Sequence, residues 1–477
     1  MHVKGGVAIF VFVLFLLLFN VQEIFAENNS ALTDSLAGVT RVEEVHSESN
    51  LPSALMVIPF IALLAMIATG PLFYHHFWEK NYPLISILLG LITVFYYLIF
   101  LNDTHSLLHT AAEYLSFIAL LSSLFVASGG ILIRVDRKST PWLNAGILLF
   151  GAVIANIIGT TGASMLLIRP FIKINKDRIK PYHIVFFIFL VSNIGGALTP
   201  IGDPPLFLGF LRGVEFFWVI GHVWYIWLPT TLVVTAIFIF IDSRNLNTNE
   251  TTEKFSGKIE FKGMRNVLYL LVIVISVFLD PAVVSWVPSL KPLPFGIREI
   301  IMFTMVIIAY KTADEGILKA NEFNFEPIRE VAYLFVGIFA TMIPALQLIS
   351  YEANVLGEKL TQGIFYWATG VLSSFLDNAP TYLNFLSAAL GKYGMDVNLP
   401  SEVSGFANLH PIYLSAISVA AVFFGAMTYI GNGPNFMVKS ISERSGIKMP
   451  SFFGYMIKYS IPVLIPIFTI VWLVFYF

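Results

Sequence analysis

The chain has 477 residues, 57% of them hydrophobic and 12% charged, against roughly 25% charged in soluble domains. Segments of about 20 apolar residues recur, each long enough to cross a hydrocarbon layer of roughly 30 Å, so the composition predicts an all-α polytopic membrane protein. The absence of cysteine excludes disulfides, thiolate metal sites and Cys nucleophiles, and the histidines form no HExxH-type ligand pair. A net charge of −2 identifies no partner, because the placement of Lys and Arg matters more than their sum. No nucleic-acid partner is expected.

Residues 1–26 carry Lys4, an apolar run from Val7 to Phe19 and a small residue, Ala26, the layout of a signal peptide or of an uncleaved first span. Residues 27–52 are polar without an apolar face and read as an exported tail. Spans follow at 54–74, 83–101 and 106–133, and Arg134, Arg137 and Lys138 put the next loop in the cytoplasm. The apolar stretch 141–168 is basic on both flanks, with Arg169, Lys173, Lys176, Arg178 and Lys180 behind it. A single crossing would leave one cluster outside, so a re-entrant hairpin is expected, its polar tip running from Asn156 through Thr160 and Thr161 to Gly162.

Segment 181–211 then contains SNIGGALTPIGDPPLFL, Ser192 to Leu208. Pro200, Pro204 and Pro205 forbid a continuous helix, and irregular backbone at bilayer depth survives only where protein or a wet cavity solvates it. Further spans at 218–241, 266–290 and 296–310 complete a first half, 53–310. A cytoplasmic linker, 311–330, leads to the second half, 331–477, with a span at 331–350, a second hairpin at 359–391, a broken segment at 410–441 and a last crossing at 452–477. The second hairpin has the tip Asp377-Asn378-Ala379-Pro380-Thr381; Ala155 is the residue that matches Asp377 in the first.

The second broken segment reads TYIGNGPNFM from Thr428 and aligns without a gap on Thr199 to Leu208, with Gly202 on Gly431 and Asp203 on Asn432. Paired Gly/Pro-interrupted segments in two halves of a chain point to a transporter binding site. The expected architecture is therefore an inverted-repeat transporter with two re-entrant hairpins and two broken transmembrane helices, the four tips meeting near the midplane. Among basic residues only Arg212, Lys291, Arg298, Lys359 and Lys392 fall in outer loops under this threading. It predicts a multi-pass protein of the cell inner membrane, with the N-terminal tail and the C-terminus on the outer side.

The tips supply Asn156, Thr160, Thr161, Asn193, Gly202 and Asp203 from the first half, and Asp377, Asn378, Thr381, Asn432 and Asn435 from the second. Their carboxylates, amides, hydroxyls and freed carbonyls are hard oxygen donors that suit an alkali cation. A membrane-buried carboxylate costs about 2.5 to 3.5 kcal/mol on insertion scales, and no Lys or Arg in the tips neutralises Asp203 or Asp377. Low-dielectric surroundings let a carboxyl group hold either a proton or a cation. Glu113, also inside an apparent span, reads as a proton relay or as a residue near an outer helix end.

These motifs, SNIGGALTPIGDPP and FFGAMTYIGNGPNFM with the hairpin tips, resemble the ion transporter superfamily beyond about residue 54. Within it the chain is similar to the NhaD-type sodium/proton antiporters and to a neighbouring citrate-transporter-like group. The resemblance implies a homodimer with a scaffold and a moving transport domain. It also implies one Na⁺ site at Asn156, Thr160, Thr161, Asn193 and Asp203, with a symmetry mate at Asp377, Asn378, Thr381, Asn432 and Asn435. Carboxylate carriers of the superfamily look different at the tips, with Ser-Asn-Thr where this chain has Asp377-Asn378-Ala379.

Three functions follow. Sodium/proton antiport at Asp203 and Asp377 needs no resident cofactor, only Na⁺ and H⁺ as cargo in a lipid bilayer. Na⁺-coupled uptake of a citrate-like or dicarboxylate anion needs positive potential from half-helix N-termini or from Na⁺ itself. Intramembrane aspartyl proteolysis would use the two acids as a dyad, but Pro200 replaces the expected glycine and the repeat has no use in such an enzyme. A transporter and not an enzyme is expected.

Overall fold

The computed structural model describes residues 51–245, 257–280, 287–290, 293 and 295–477. The expected leader, 1–26, and nearly all of the tail, 27–52, lie outside the described residues. Among those described, seven helices are long and apolar enough to cross a bilayer, and a bent pair around His410 adds an eighth if taken as one span. The protein is an all-α polytopic membrane protein.

Helices α1 (Ile58–Phe73), α2 (His75–Tyr96) and α3 (Thr104–Gly129) come first. The apolar run places the start of the second at residue 83; the helix begins at His75, its first turns carrying Trp78, Glu79 and Lys80 ahead of that run. Leu84, Leu88, Leu91 and Phe95 recur at helical spacing on its exposed face, the surface a lipid-facing helix presents. Two short strands join loops read as irregular: β1 (Leu132–Val135) pairs antiparallel with β2 (Ile259–Lys262), Arg134 opposite Glu260. Four-residue strands leave too little alternation to be read from sequence.

Helix α4 (Pro141–Ile174) doubles back on itself. Asn144 Nδ2 donates to Asn175 Oδ1 at 2.8 Å, and Asn175 Nδ2 donates to Asn144 Oδ1 at 2.9 Å. In a straight helix these residues would stand about 46 Å apart. The reversal falls at Gly159, whose φ of 77° and ψ of 154° belong to a region essentially reserved for glycine. At the mouth, Asp242 at the end of α7 (Trp218–Ser243) is fully buried and accepts from Asn144 Nδ2, Arg178 Nη2 and Tyr182 Oη at 3.0, 2.6 and 2.6 Å. This network is invisible in sequence, where Arg178 reads only as one of several cytoplasmic charges.

Helix α5 (Pro181–Leu190) is buried on all sides from His183 onward, as an all-round apolar helix must be. It stops before the irregular run 191–203, and the chain resumes as α6 (Pro204–Arg212). Helices α8 (Met264–Ser276), α9 (Ile297–Thr312), α10 (Glu315–Ala320) and α11 (Glu326–Leu356) connect to the second half. There α12 (Gln362–Phe375) and α13 (Asn378–Gly391) make another hairpin, closed where Lys392 Nζ donates to Leu360 O at 2.8 Å. Helix α14 (Pro400–Leu409) leads into α15 (Pro411–Phe424), which breaks before α16 (Gly433–Arg444), and residues Phe452–Phe475 form α17.

A side chain at position 159 would be strained whatever the space around it. Gly159→Ala is expected to lower stability by about 1 to 3 kcal/mol, measurable as a fall in the thermal unfolding midpoint of detergent-purified protein, whereas Gly146→Ala, where a Cβ meets nothing within 4 Å, should leave the midpoint unchanged or slightly raised, Ala being the better helix former.

Candidate ion-binding site

Two broken helices leave backbone groups without helical partners, and the polar residues of the tips take them up. Asn156 Nδ2 donates to Gly195 O at 2.6 Å and to Ala152 O at 3.0 Å, while its Oδ1 accepts from Leu198 N at 2.8 Å. Trp227 Nε1 adds a second donor to Gly195 O at 3.1 Å. On the other side, Asn435 Nδ2 donates to Gly425 O and Thr428 O at 2.8 and 2.9 Å. The Oδ1 of Asn435 accepts from Asn193 Nδ2 at 2.7 Å, so the two broken runs are tied directly to each other.

The two halves repeat this bonding. Thr199 Oγ1 accepts from Gly202 N at 3.0 Å and donates to Asn156 O at 2.6 Å. Thr428 Oγ1 accepts from Gly431 N at 3.1 Å and donates to Ser374 O at 2.5 Å. Asn156 thus corresponds to Ser374, which puts Gly159 opposite Asp377 and Thr160 opposite Asn378. The register read from sequence, Ala155 against Asp377, is displaced by the length of one helical turn, because the hydrogen-bonded break and not the apolar run sets the alignment.

Asp203 stands at the centre, 1% exposed. Its Oδ1 accepts from Thr160 Oγ1 at 2.7 Å and from Asn432 Nδ2 at 2.9 Å; its Oδ2 accepts from Asn378 Nδ2 at 2.5 Å. One donor comes from each hairpin and one from the opposite broken helix, and none is cationic. Two further oxygens, Asn193 Oδ1 and Asn378 Oδ1, are buried without a hydrogen-bond partner, and both asparagines are fully buried. Such groups are costly to bury unsatisfied, and two orphaned carbonyl oxygens beside a carboxylate fit a small hard cation. Gly425 keeps this space open: a Cβ there would come within 2.9 Å of Asn193 Oδ1 and 3.5 Å of Asn378 Nδ2. Gly202 is held equally tightly, since a Cβ would meet Gly196 O at 2.1 Å.

The remaining candidates are placed differently. Asp377 is partly exposed and caps its own helix, accepting from Ala379 N at 3.1 Å; no hydrogen bond joins it to the Asp203 cluster. Thr381 Oγ1 donates to Asp377 O at 2.9 Å, within that first turn. Thr161 lines a void of about 10 Å³ with Thr160, Gly202 and Leu124, room for about one water molecule. Polar residues of both halves meet in one hydrogen-bonded cluster around Asp203, with Asp377 and Thr381 hydrogen-bonded within their own helix turn. Ser192 is not among the expected site residues, yet its carbonyl accepts from Asn432 Nδ2 at 3.1 Å; a backbone acceptor leaves no mark in sequence.

Na⁺ is expected to raise the unfolding midpoint of the purified protein relative to an equal concentration of choline. Saturation at a hundred times the dissociation constant stabilises by about 2.7 kcal/mol. Asp203→Asn should abolish the difference; an equal Na⁺ shift in that variant would remove Asp203 from the cation site.

Residues 48–476 match the family described as "Putative citrate transport". No curated protein matches the chain. With its match running from just before the first described helix to the last, the chain belongs to this family of transporters.

Proposed function

We propose that the protein is a secondary transporter that exchanges Na⁺ for H⁺ at Asp203. The observation that carries this reading is a buried carboxylate held by three neutral donors, next to two orphaned amide oxygens. Thr160, Asn378 and Asn432 orient the carboxyl group in either state. With a proton bound, the carboxyl group is neutral and its low-dielectric surroundings favour it. With Na⁺ bound, Asn193 Oδ1 and Asn378 Oδ1 offer the oxygen ligands that complete a shell around the cation. The two states exclude one another, and that exclusion couples the fluxes. Asp377 supports a local negative potential from its capping position and is secondary to Asp203.

Na⁺-coupled movement of a citrate-like carboxylate is a second reading, favoured by the family description and by one feature of the surface. A cavity of about 370 Å³ reaches the second broken run at Tyr429 and Ile430, with Lys439 and Lys448 in its wall. That volume is within the range of small-molecule sites. In this reading Asp203 holds the coupling cation and Lys448 draws the anion toward it, Lys439 being paired with Glu443 in the same wall at 2.9 Å.

Proteoliposomes loaded with a pH-sensitive dye distinguish the two. The antiport reading expects an outward Na⁺ gradient to acidify the lumen without citrate, Asp203→Asn to fall to the level of empty vesicles, and Asp377→Asn to retain a reduced rate. Na⁺-dependent uptake of labelled citrate, with no pH change when citrate is left out, would establish the symport in its place.

A further inference from the structure

Helix α3 faces the site elements with an apolar surface. Leu121, Leu124 and Phe125 border the small void opposite Ile158, Ile201 and Pro204. About 16 Å away along the same helix, Glu113 grips Arg212, the last residue of α6, with both carboxylate oxygens: Arg212 Nη2 donates to Oε2 at 2.7 Å and Nε contacts Oε1. Both residues are buried. His109 Nδ1 lies 3.8 Å from Glu113, and Arg212 Nη1 also donates to Asn398 Oδ1. Helix α6 is therefore fixed at both ends, by the Asp203 cluster at its start and by Glu113 at its finish. Helix α3 in turn is anchored away from the site: Phe117 stacks on Phe335 of α11 at 4.7 Å, and Ser116 Oγ donates to Glu299 of α9 at 2.7 Å.

We propose that Glu113 and Arg212 form a latch that fixes α6, and with it Asp203, against α3 in the conformation described here, and that transport requires the pair to part. This rests on the transport reading above, in which site-bearing elements move against the remaining helices. An apolar interface slides without losing specific bonds, whereas a buried ion pair resists, since parting it leaves uncompensated buried charge. Glu113 and Arg212 are thus positioning residues: they set the balance between conformations and leave cation affinity unchanged. The proton-relay reading of Glu113 gives way to this one, because its carboxylate is already engaged on both oxygens.

The chain lacks cysteine, so a single reporter suffices. Gly433 is exposed and a Cβ there meets nothing within 4 Å; Gly433→Cys is labelled with a membrane-impermeant maleimide applied to either side of oriented vesicles. Adding Glu113→Gln is expected to change the labelling rate at least about fivefold, the lower end of a usual coupling, with the Na⁺ concentration for half-maximal transport unchanged. The exchange of Glu113→Arg with Arg212→Glu should return labelling toward the parent. If Glu113→Gln fails to fold, Asn398→Ala, which removes one Arg212 contact without stranding a charge, should shift labelling in the same direction by less. Unaltered labelling in the variant that folds, or a change in half-maximal Na⁺ equal to the change in labelling, overturns the latch. Labelling needs no transported ion, so absence of Na⁺-linked flux in the parent would sink the transport reading separately.

Discussion

Backbone that leaves a helix inside a membrane must find its hydrogen bonds within the protein, and this requirement organises the centre of the molecule. Each half meets it in the same way. A threonine hydroxyl, Thr199 or Thr428, accepts from the glycine three residues on and donates to a carbonyl in the neighbouring hairpin. Asn156 from the hairpin of the first half and Asn435 from the resumed helix of the second then collect carbonyls from the breaks. The glycines follow from the same closeness: Gly195, Gly196, Gly202 and Gly431 all bring backbone within reach of backbone where a methyl group would not fit. What looks like a set of polar residues for a ligand is therefore in part the scaffolding of two broken helices.

Once these duties are subtracted, a smaller group remains with no structural task that accounts for it. Asp203 accepts three bonds although nothing positive lies against it, and Asn193 and Asn378 each keep one buried oxygen free. Helices α6, α13 and α16 begin at Asp203, Asp377 and Asn432, and the second arm of α4 begins at Gly159. Their N-terminal dipole ends help to hold a negative charge there. Together with three neutral donors this explains how a carboxylate persists in a buried position without a lysine or arginine beside it.

Much of this was legible from composition and punctuation. Prolines 200, 204 and 205 announced the first break, the gapless match of Thr428 to Met437 announced its copy, and basic residues on both sides of 141–168 argued against a single crossing. Those signals are local, or are counts of charge. What stayed hidden depends on contacts across the fold. Asp242 gathers Asn144, Arg178 and Tyr182 from three segments, and Arg212 finds Glu113 ninety-nine positions away. No periodicity encodes such pairings. The bonding of Asp377 is hidden for a related reason: a carboxylate reads the same in sequence whether or not it caps its own helix, and only the hydrogen bond from Ala379 N shows that it does.

The asymmetry between the halves follows from electrostatics. Thr160 and Asn378 occupy corresponding places in the two hairpins, and both turn toward Asp203; a strictly repeated arrangement would put a second aspartate at position 432. Two carboxylates sharing one buried site cannot both ionise without a large mutual penalty. Asparagine at 432 keeps the shape of the repeat and converts a repelling charge into a donor, at 2.9 Å from the acid it would otherwise oppose. Asp377 turns its carboxylate to its own helix end, where it accepts from Ala379 N and stays outside the hydrogen-bonded cluster. One charge is left where four elements meet, and a single charge is what one proton or one monovalent cation can neutralise in turn.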